Sequence, residues 1–245
     1  MATSYNKIIS RNLHLPLAQA VAFRSVSHNP YVNISLDDWF YQNYPLRSQH
    51  YPLLYLYRNH PCIVIGRHQN PWTECNSKLV GIYPDQVPLV RRRSGGGAVY
   101  HPEISGSASR LGRLVAYHHF TLLFHSKLQQ LAQMLTPHTN GLRSNATASV
   151  RSSVINLSQI NNAITYDNLC SKIASTFTKT FHPKINNEEL LDINPNTESN
   201  YPGIASLRNE LKSWDWIYGK TPDFEIHQSS NLSMGKVVCM ISKSL

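Results

Sequence analysis

Apolar residues along this chain repeat with two periods, and the places where one gives way to the other outline its elements. Across "ISLDDWFYQNY", residues 34–44, Leu36, Phe40 and Tyr44 recur at helical spacing, with Ser35, Asp37 and Asp38 close to the start. That spacing predicts a helix with a hydroxyl cap and carboxylates near its positive end. Residues 53–58, "LLYLYR", and 61–66, "PCIVIG", are β-branched and aromatic runs on either side of Asn59 and His60, a strand–turn–strand signal. Residues 87–101, "VPLVRRRSGGGAVYH", give a strand, a glycine-rich turn, and a strand resuming at Ala98. Another strand is predicted at 117–124, and helices at 127–135 and 168–181, the second with Leu169, Ile173 and Phe177 on one face. Stretches 140–158 and 186–202 are rich in Asn, Ser, Thr or Pro and read as irregular surface connections. Helices and strands mix without a regular strand–helix–strand rhythm, so the fold class is α+β, with a mixed or mainly antiparallel sheet flanked by helices.

Composition narrows this picture in two places. The 245 residues, 41% hydrophobic and 15% charged, suit one large domain or two small ones. No apolar run approaches the ~18 residues of a membrane span, and no membrane partner is expected. The net charge of +9 is uneven: residues 1–36 hold Lys7, Arg11 and Arg24 and no acid, Asp37 being the first. With its Ser, Leu and Ala content, this segment predicts a mitochondrial presequence over 1–33, cleaved between Arg24 and Asn33, ahead of a catalytic-type domain over 34–245. A mildly basic tail is the plainer alternative. Cys62, Cys75, Cys170 and Cys239 form no C-x-x-C pair, so they read as reduced structural thiols, with neither a disulfide framework nor a metal site.

Candidate chemistry gathers in residues 91–108, "RRRSGGGAVYHPEISGSA". Gly95, Gly96 and Gly97 can take positive φ, and their N–H groups can form a nest for phosphate oxygens beside Arg91, Arg92 and Arg93. Strand alternation sends Arg91 and Arg93 to one face and Arg92 to the other. A flexible turn is the competing reading. The glycines are followed by no G-K-[ST] and open no G-x-G-x-x-G helix, so a nucleotide P-loop and a dinucleotide fingerprint are both excluded. His118 and His119 read as strand neighbours, one buried and one solvated, with general-base chemistry as the alternative. Trp214 and Trp216 read as packing anchors.

Five motifs occur in order: "VIGRHQNPWTECN" (64–76), "RRRSGGGAVYH" (91–101), "ISGSASRLGR" with "AYHHFTLL" (104–123), "GLRSNATASVRSSVINL" (141–157) and "WDWIYGKTPDF" (214–224). Together they resemble the lipoate–protein ligase A and lipoyltransferase family, over most of the chain between residues 34 and 224. The resemblance implies a biotin/lipoate-ligase-like fold and an acyltransferase that moves a lipoyl group onto a specific lysine of a carrier domain. The implied substrate is lipoyl-AMP, or lipoate with ATP and magnesium, with no tightly bound cofactor. The implied partners are the lipoyl carrier domains of 2-oxoacid dehydrogenase E2 subunits and the glycine-cleavage H protein, met by a monomer in the mitochondrial matrix. On this resemblance Arg91, Arg93, Ser94, Gly95, Gly96, Gly97, Val99 and Tyr100 lie along the lipoyl-adenylate. Ser105, Gly106, Ser107 and Ala108 form a second turn that shapes its pocket, and Gly66 and Arg67 line the same cleft. The residues agree, since an acyl-adenylate offers a phosphate to arginines and glycines and an apolar tail to Val64, Val99 and Tyr100.

The chain departs from the family pattern at one junction. Relatives follow the V-Y-H motif with several dozen residues of strand and helix, whereas here His101 is followed by Pro102 and Glu103 and then Ile104. Part of the central sheet is therefore expected to be missing. Two residues can close a hairpin but cannot replace a crossover. A family lysine directly before the I-S-G-S-A turn contacts the acyl-phosphate; Glu103 holds that position, which leaves no catalytic residue assigned. Residues after 224 are also fewer than the family's accessory region. The expectation is a lipoyltransferase that transfers poorly or not at all. The alternatives are an impaired form that only binds carrier domain or lipoyl-adenylate and, from pI ≈ 9.4, a nucleic-acid binder. No basic surface interleaved with aromatics supports the latter, and no nucleic acid is expected.

Overall fold

Val21–Ser25 (β1) is a buried strand, with Ala22 and Phe23 almost inaccessible. It lies inside the stretch assigned to the presequence, so the folded part begins ahead of residue 33, because these residues fill a core. The structure, a computed structural model, describes residues 21–44, 52–101, 106–113, 115–124, 127–150, 155–181 and 190–243. The chain divides into two units: Met1–His60, Leu111–Tyr117 and Asn156–Glu210 make the first, and Pro61–Arg110, His118–Ile155 and Leu211–Leu245 the second.

In the first unit the helix expected at 34–44 spans Pro30–Asn43 (α1). Asn29 is its cap, accepting from the N–H groups of Tyr31 and Val32, with Pro30 preset for the first turn. Ser35 is no cap: it is buried mid-helix and its hydroxyl donates to the Val32 carbonyl. Asp37 and Asp38 likewise fall beyond the first turn. Leu36 and Phe40, as their spacing predicted, enter a core with Val21, Phe23, Trp39, Tyr201 and Ile204. Beneath it lies a three-stranded parallel sheet in the order β10-β1-β2, where β2 is Leu53–Leu56 and β10 is Leu190–Ile193. β10 arises within 186–202, read from sequence as irregular; Leu190, Leu191 and Ile193 supply apolar residues that a count of Asn and Pro hides. Arg24 on β1 pairs with Asp192 on the neighbouring β10 and with Asp167 on a helix.

In the second unit Cys62–Ile65 (β3) is buried at every position, and Pro71–Glu74 (α2) follows it. β4 (Val80–Gly81), β5 (Val87–Arg91) and β6 (Val99–His101) complete a sheet in the order β4-β5-β3-β6. β5 is parallel to β3 and β4, and β6 is antiparallel to β3, with Val64 opposite Val99 and Ile63 opposite Tyr100. The strand–turn–strand signal at 53–66 is thus no hairpin: β2 and β3 join different sheets. A strand covered on both faces has an unbroken apolar run and takes neighbours from elsewhere in the chain.

β7 (Gly106–Leu111) and β8 (Ala116–Thr121) form a two-stranded ribbon. Gly106, Ser107 and Ala108 are therefore extended strand and not a second turn, while Pro102, Glu103, Ile104 and Ser105 lie outside the described residues. The helices at 127–135 and 168–181 appear as Leu128–Met134 (α3) and Tyr166–Phe181 (α5). Cys170, Ala174 and Thr178 form the buried stripe of α5, with Leu169, Ile173 and Phe177 half-buried beside it. The expected loop at 140–158 contains a strand, Leu142–Ser144 (β9), and the start of a short helix, Leu157–Ile160 (α4). Ile204–Lys212 (α6) and a π-turn at Asp215–Gly219 precede Phe224–Leu232 (β11) and Gly235–Lys243 (β12), which make a third sheet with β9.

Candidate functional site

The candidate residues meet in the second unit, where two loops press backbone to backbone. The loop after β3 begins at Gly66, and a Cβ there would stand 2.1 Å from the Gly96 carbonyl oxygen, so only glycine fits. The Arg67 N–H donates to the Ser94 carbonyl at 2.9 Å and fixes the two loops in register. Gly96 carries φ of +85° and turns the second loop. Gly95 has open space at its Cβ position, whereas a Cβ at Gly97 would lie 3.1 Å from the Ser149 hydroxyl.

The three arginines do three different things. Arg91 is fully buried, and its guanidinium donates to the carbonyls of Ile217, Gly66, Arg67 and Gln69 and to the Thr221 hydroxyl. All five of its N–H donors are spent inside the protein, so Arg91 braces the site and offers nothing to an anion, contrary to its expected place along the ligand. Burial first, and then the Arg67 charge, lower its pKa to about 10. Arg92, expected on the opposite face, is buried too and grips the glycine turn through the carbonyls of Gly95 and Gly97. Arg93 is half-buried, with its guanidinium 4.3 Å from the centre of the Trp216 ring; exposed Arg67 lies 5.5 Å from the same ring. Trp216 is held from below by its indole N–H donating to the Arg91 carbonyl at 2.7 Å.

Ser94 is buried, and its hydroxyl oxygen accepts from Arg92 Nε at 3.1 Å and lies 3.3 Å from His119 Nε2. The pair on β8 alternates as predicted, His118 exposed and His119 half-buried. Burial, Arg92 and His118 push the His119 pKa down to about 4, so its ring stays neutral at physiological pH. Tyr100 is buried and Val99 half-buried, while the Val64 beside them on β3 is buried. Ala108 is half-buried on β7.

A further set of residues escaped the sequence reading. Gln69 Oε1 accepts the Gly66 N–H at 2.8 Å, and Gln69 Nε2 donates to Ser149 Oγ at 3.0 Å and to the Thr147 carbonyl at 3.3 Å. Ser149 Oγ also accepts the Ala98 N–H at 2.8 Å and donates to buried Glu74 on α2. Gln69 and Glu74 sit within the 64–76 motif and Ser149 within 141–157, so motif membership was the available signal. Among the described residues no group of three or more His, Cys, Asp or Glu could hold a metal ion, and no helix is long and apolar enough to cross a membrane.

A buried arginine brace and a glycine turn with cations at its rim thus stand on the mixed four-stranded sheet of the second unit. The sequence profile described as "Lipoyl protein ligase A/B catalytic domain" matches residues 29–103 and 103–178. The chain belongs to that family. It is 35% identical to the human protein "Lipoyl amidotransferase LIPT1, mitochondrial", over 84% of this chain and 67% of that one. This alignment spans 257 positions, more than this chain supplies, so several dozen positions of the human protein face no residue here. Among solved structures, P. falciparum LipL1 in complex with lipoate superposes with a TM-score of 0.67 at 27% identity, covering 91% of this chain and 85% of that one. A bipartite lipoate protein ligase of Thermoplasma acidophilum, described with its E2 lipoyl domain, shares the fold with a TM-score of 0.56 at 16% identity, covering 82% of this chain and 97% of that one.

Proposed function

We propose that this chain binds a lipoyl-adenylate at the Gly95–Gly97 turn and passes its lipoyl group to a lysine of a carrier domain, far more slowly than its unshortened relatives. The observation that carries the reading is the state of the turn's backbone. The N–H groups of Gly66 and Ala98 are consumed by Gln69 and Ser149, whereas those of Gly95, Gly96 and Gly97 meet no acceptor among the described residues. Open amides beside the charges of Arg67 and Arg93 suit phosphate oxygens. Val64 and Val99, paired across β3 and β6 on one face of the sheet, suit an apolar acyl chain.

In the transfer step the lysine nitrogen attacks the acyl carbon. A carbon–nitrogen bond forms, the carbon–oxygen bond to phosphate breaks with its electron pair leaving on AMP, and the ammonium proton passes to solvent. A cation beside that linkage stabilises the charge that develops, and this sequence carries Glu103 at the position where the family resemblance expects a lysine. At ~4 Å and an effective dielectric of ~20 one unit charge is worth roughly 4 kcal/mol. The family match, broken at residue 103, supports a site whose two halves are joined by an unusually short connection. The partners we assign are carrier domains of E2 subunits and the H protein, met by a monomer in the mitochondrial matrix. The human relative's name supports a mitochondrial location, and the matrix is our own assignment. A leader would then end ahead of β1, before Val21.

Calorimetry with lipoyl-AMP and intact-mass detection of a lipoylated carrier domain test the proposal. Binding is expected, with transfer slower than the human relative's by on the order of a hundredfold or more. Equal rates would sink the prediction of impairment. Binding with no turnover would select the second reading, a form that only binds, which Glu103 favours.

A further inference from the structure

We infer that Glu74 is a positioning residue for the glycine turn, acting through Ser149; the inference rests on the lipoyl-adenylate reading above. A serine hydroxyl has one proton and room for two incoming donors. In Ser149 every one is used: its proton goes to Glu74 Oε2, and its oxygen accepts the Ala98 N–H at 2.8 Å and Gln69 Nε2 at 3.0 Å. The other Glu74 oxygen faces the Ser149 N–H at 3.4 Å.

Both Glu74 oxygens face donors of Ser149, so Glu74 dictates where the hydroxyl proton points. Gln69 must then present its amide nitrogen to Ser149 and to the Thr147 carbonyl, which turns its oxygen toward the Gly66 N–H. One buried acid thus sets the direction of a hydrogen-bond chain that ends on two backbone amides, Gly66 and Ala98. Gly66 lies against the glycine turn and Ala98 immediately follows it. The chain consumes those two amides and leaves the glycine amides to a ligand. Glu74 is placed by α2, whose Asn70 cap accepts the Trp72 N–H at 3.0 Å. Ser149 sits where a Cβ on Gly97 would touch it, so the same contact sets the height of the turn.

Glu74→Gln is nearly isosteric and tests direction alone. Both Glu74 oxygens face donors of Ser149, so a glutamine must turn its NH2 against one of them. Three readouts are compared in unaltered chain, Glu74→Gln, Ser149→Ala and Ser149→Thr: Ala98 amide exchange without ligand, lipoyl-AMP affinity by calorimetry, and the thermal midpoint. Glu74→Gln and Ser149→Ala are expected to speed Ala98 exchange and weaken lipoyl-AMP binding, each by about tenfold. Their midpoints should fall modestly, since each change leaves a polar atom of the Glu74–Ser149–Gln69 chain without its partner, and Ser149→Thr, which keeps the hydroxyl, should stay near the parent in all three readouts. A lower midpoint with unchanged affinity would show a purely structural role and overturn the inference, as would faster Ala98 exchange with unchanged affinity. If the unaltered chain binds no lipoyl-AMP, the functional reading fails and the positioning role falls with it. If it binds and Glu74→Gln binds equally well, only the positioning role fails.

Discussion

β5 with its glycine loop and the β11–β12 hairpin are built from similar material, β-branched strands and a glycine turn, yet they sit in opposite surroundings. Leu89, Val90, Arg91 and Arg92 are buried, whereas Val237, Val238, Met240 and Ile241 are 51–63% exposed. β5 lies between β3 and β4, and its polar side chains are satisfied by carbonyls of neighbouring loops. β12 lies at the edge of its sheet, held by cross-strand pairing from Phe224–Lys243 to Leu232–Gly235. The glycines differ in the same way: a Cβ at Gly66 meets backbone, and one at Gly235 meets nothing within 4 Å. β-propensity makes a strand in both places, but only close packing makes individual residues irreplaceable.

The sharpest way to break this comparison is Arg91→Ala. It strands the carbonyls of Ile217, Arg67 and Gln69 without that donor and is expected to cost about 3 kcal/mol in denaturant unfolding; a cost under ~1 kcal/mol would show that the brace is dispensable. Gly66→Ala forces a methyl against the Gly96 carbonyl and should cost about 1–3 kcal/mol. Its control, Gly95→Ala, points into open space and should stay within about 0.5 kcal/mol.

His119 gives a smaller, pH-dependent effect. Its folded pKa of about 4 lies below the ordinary histidine value, so the unfolded chain binds the proton first as pH falls. Its neutral form stabilises the fold fully above about pH 6.5, and that contribution fades toward pH 4. The parent minus His119→Gln difference should shrink over this window by on the order of 2 kcal/mol, solvent screening at a half-buried ring being allowed for. Asp37, which burial raises to about 7, responds to pH with the opposite sign, so the difference between variants is the quantity to follow. Least of all, Val238→Thr on the hairpin should change stability by no more than about 0.5 kcal/mol; a cost above ~1 kcal/mol would mean that β12 is covered in solution.

The sequence was most legible where a signal was local. Leu36 and Phe40 announced the core face of α1, and the order of five motifs announced the family. It was least legible where partners are distant. Ser35 looked like a cap because nothing nearby says that the helix starts at Asn29. β10 hid among asparagines and prolines because its reason for being a strand is β1, more than 160 residues earlier. The three arginines look alike in the chain, and strand alternation correctly separates neither their burial nor their tasks.

By itself the sequence determined the α+β class, the glycine turn after β5 and the run of three arginines that leads into it. Those are properties of residue type and short-range order, which propensity and charge fix locally. Only the tertiary structure decided that Arg91 points inward, that Arg93 and Arg67 share Trp216, and that Glu74 reaches the turn through Ser149. Each depends on which carbonyl or ring lies opposite a side chain, and long-range packing alone supplies that.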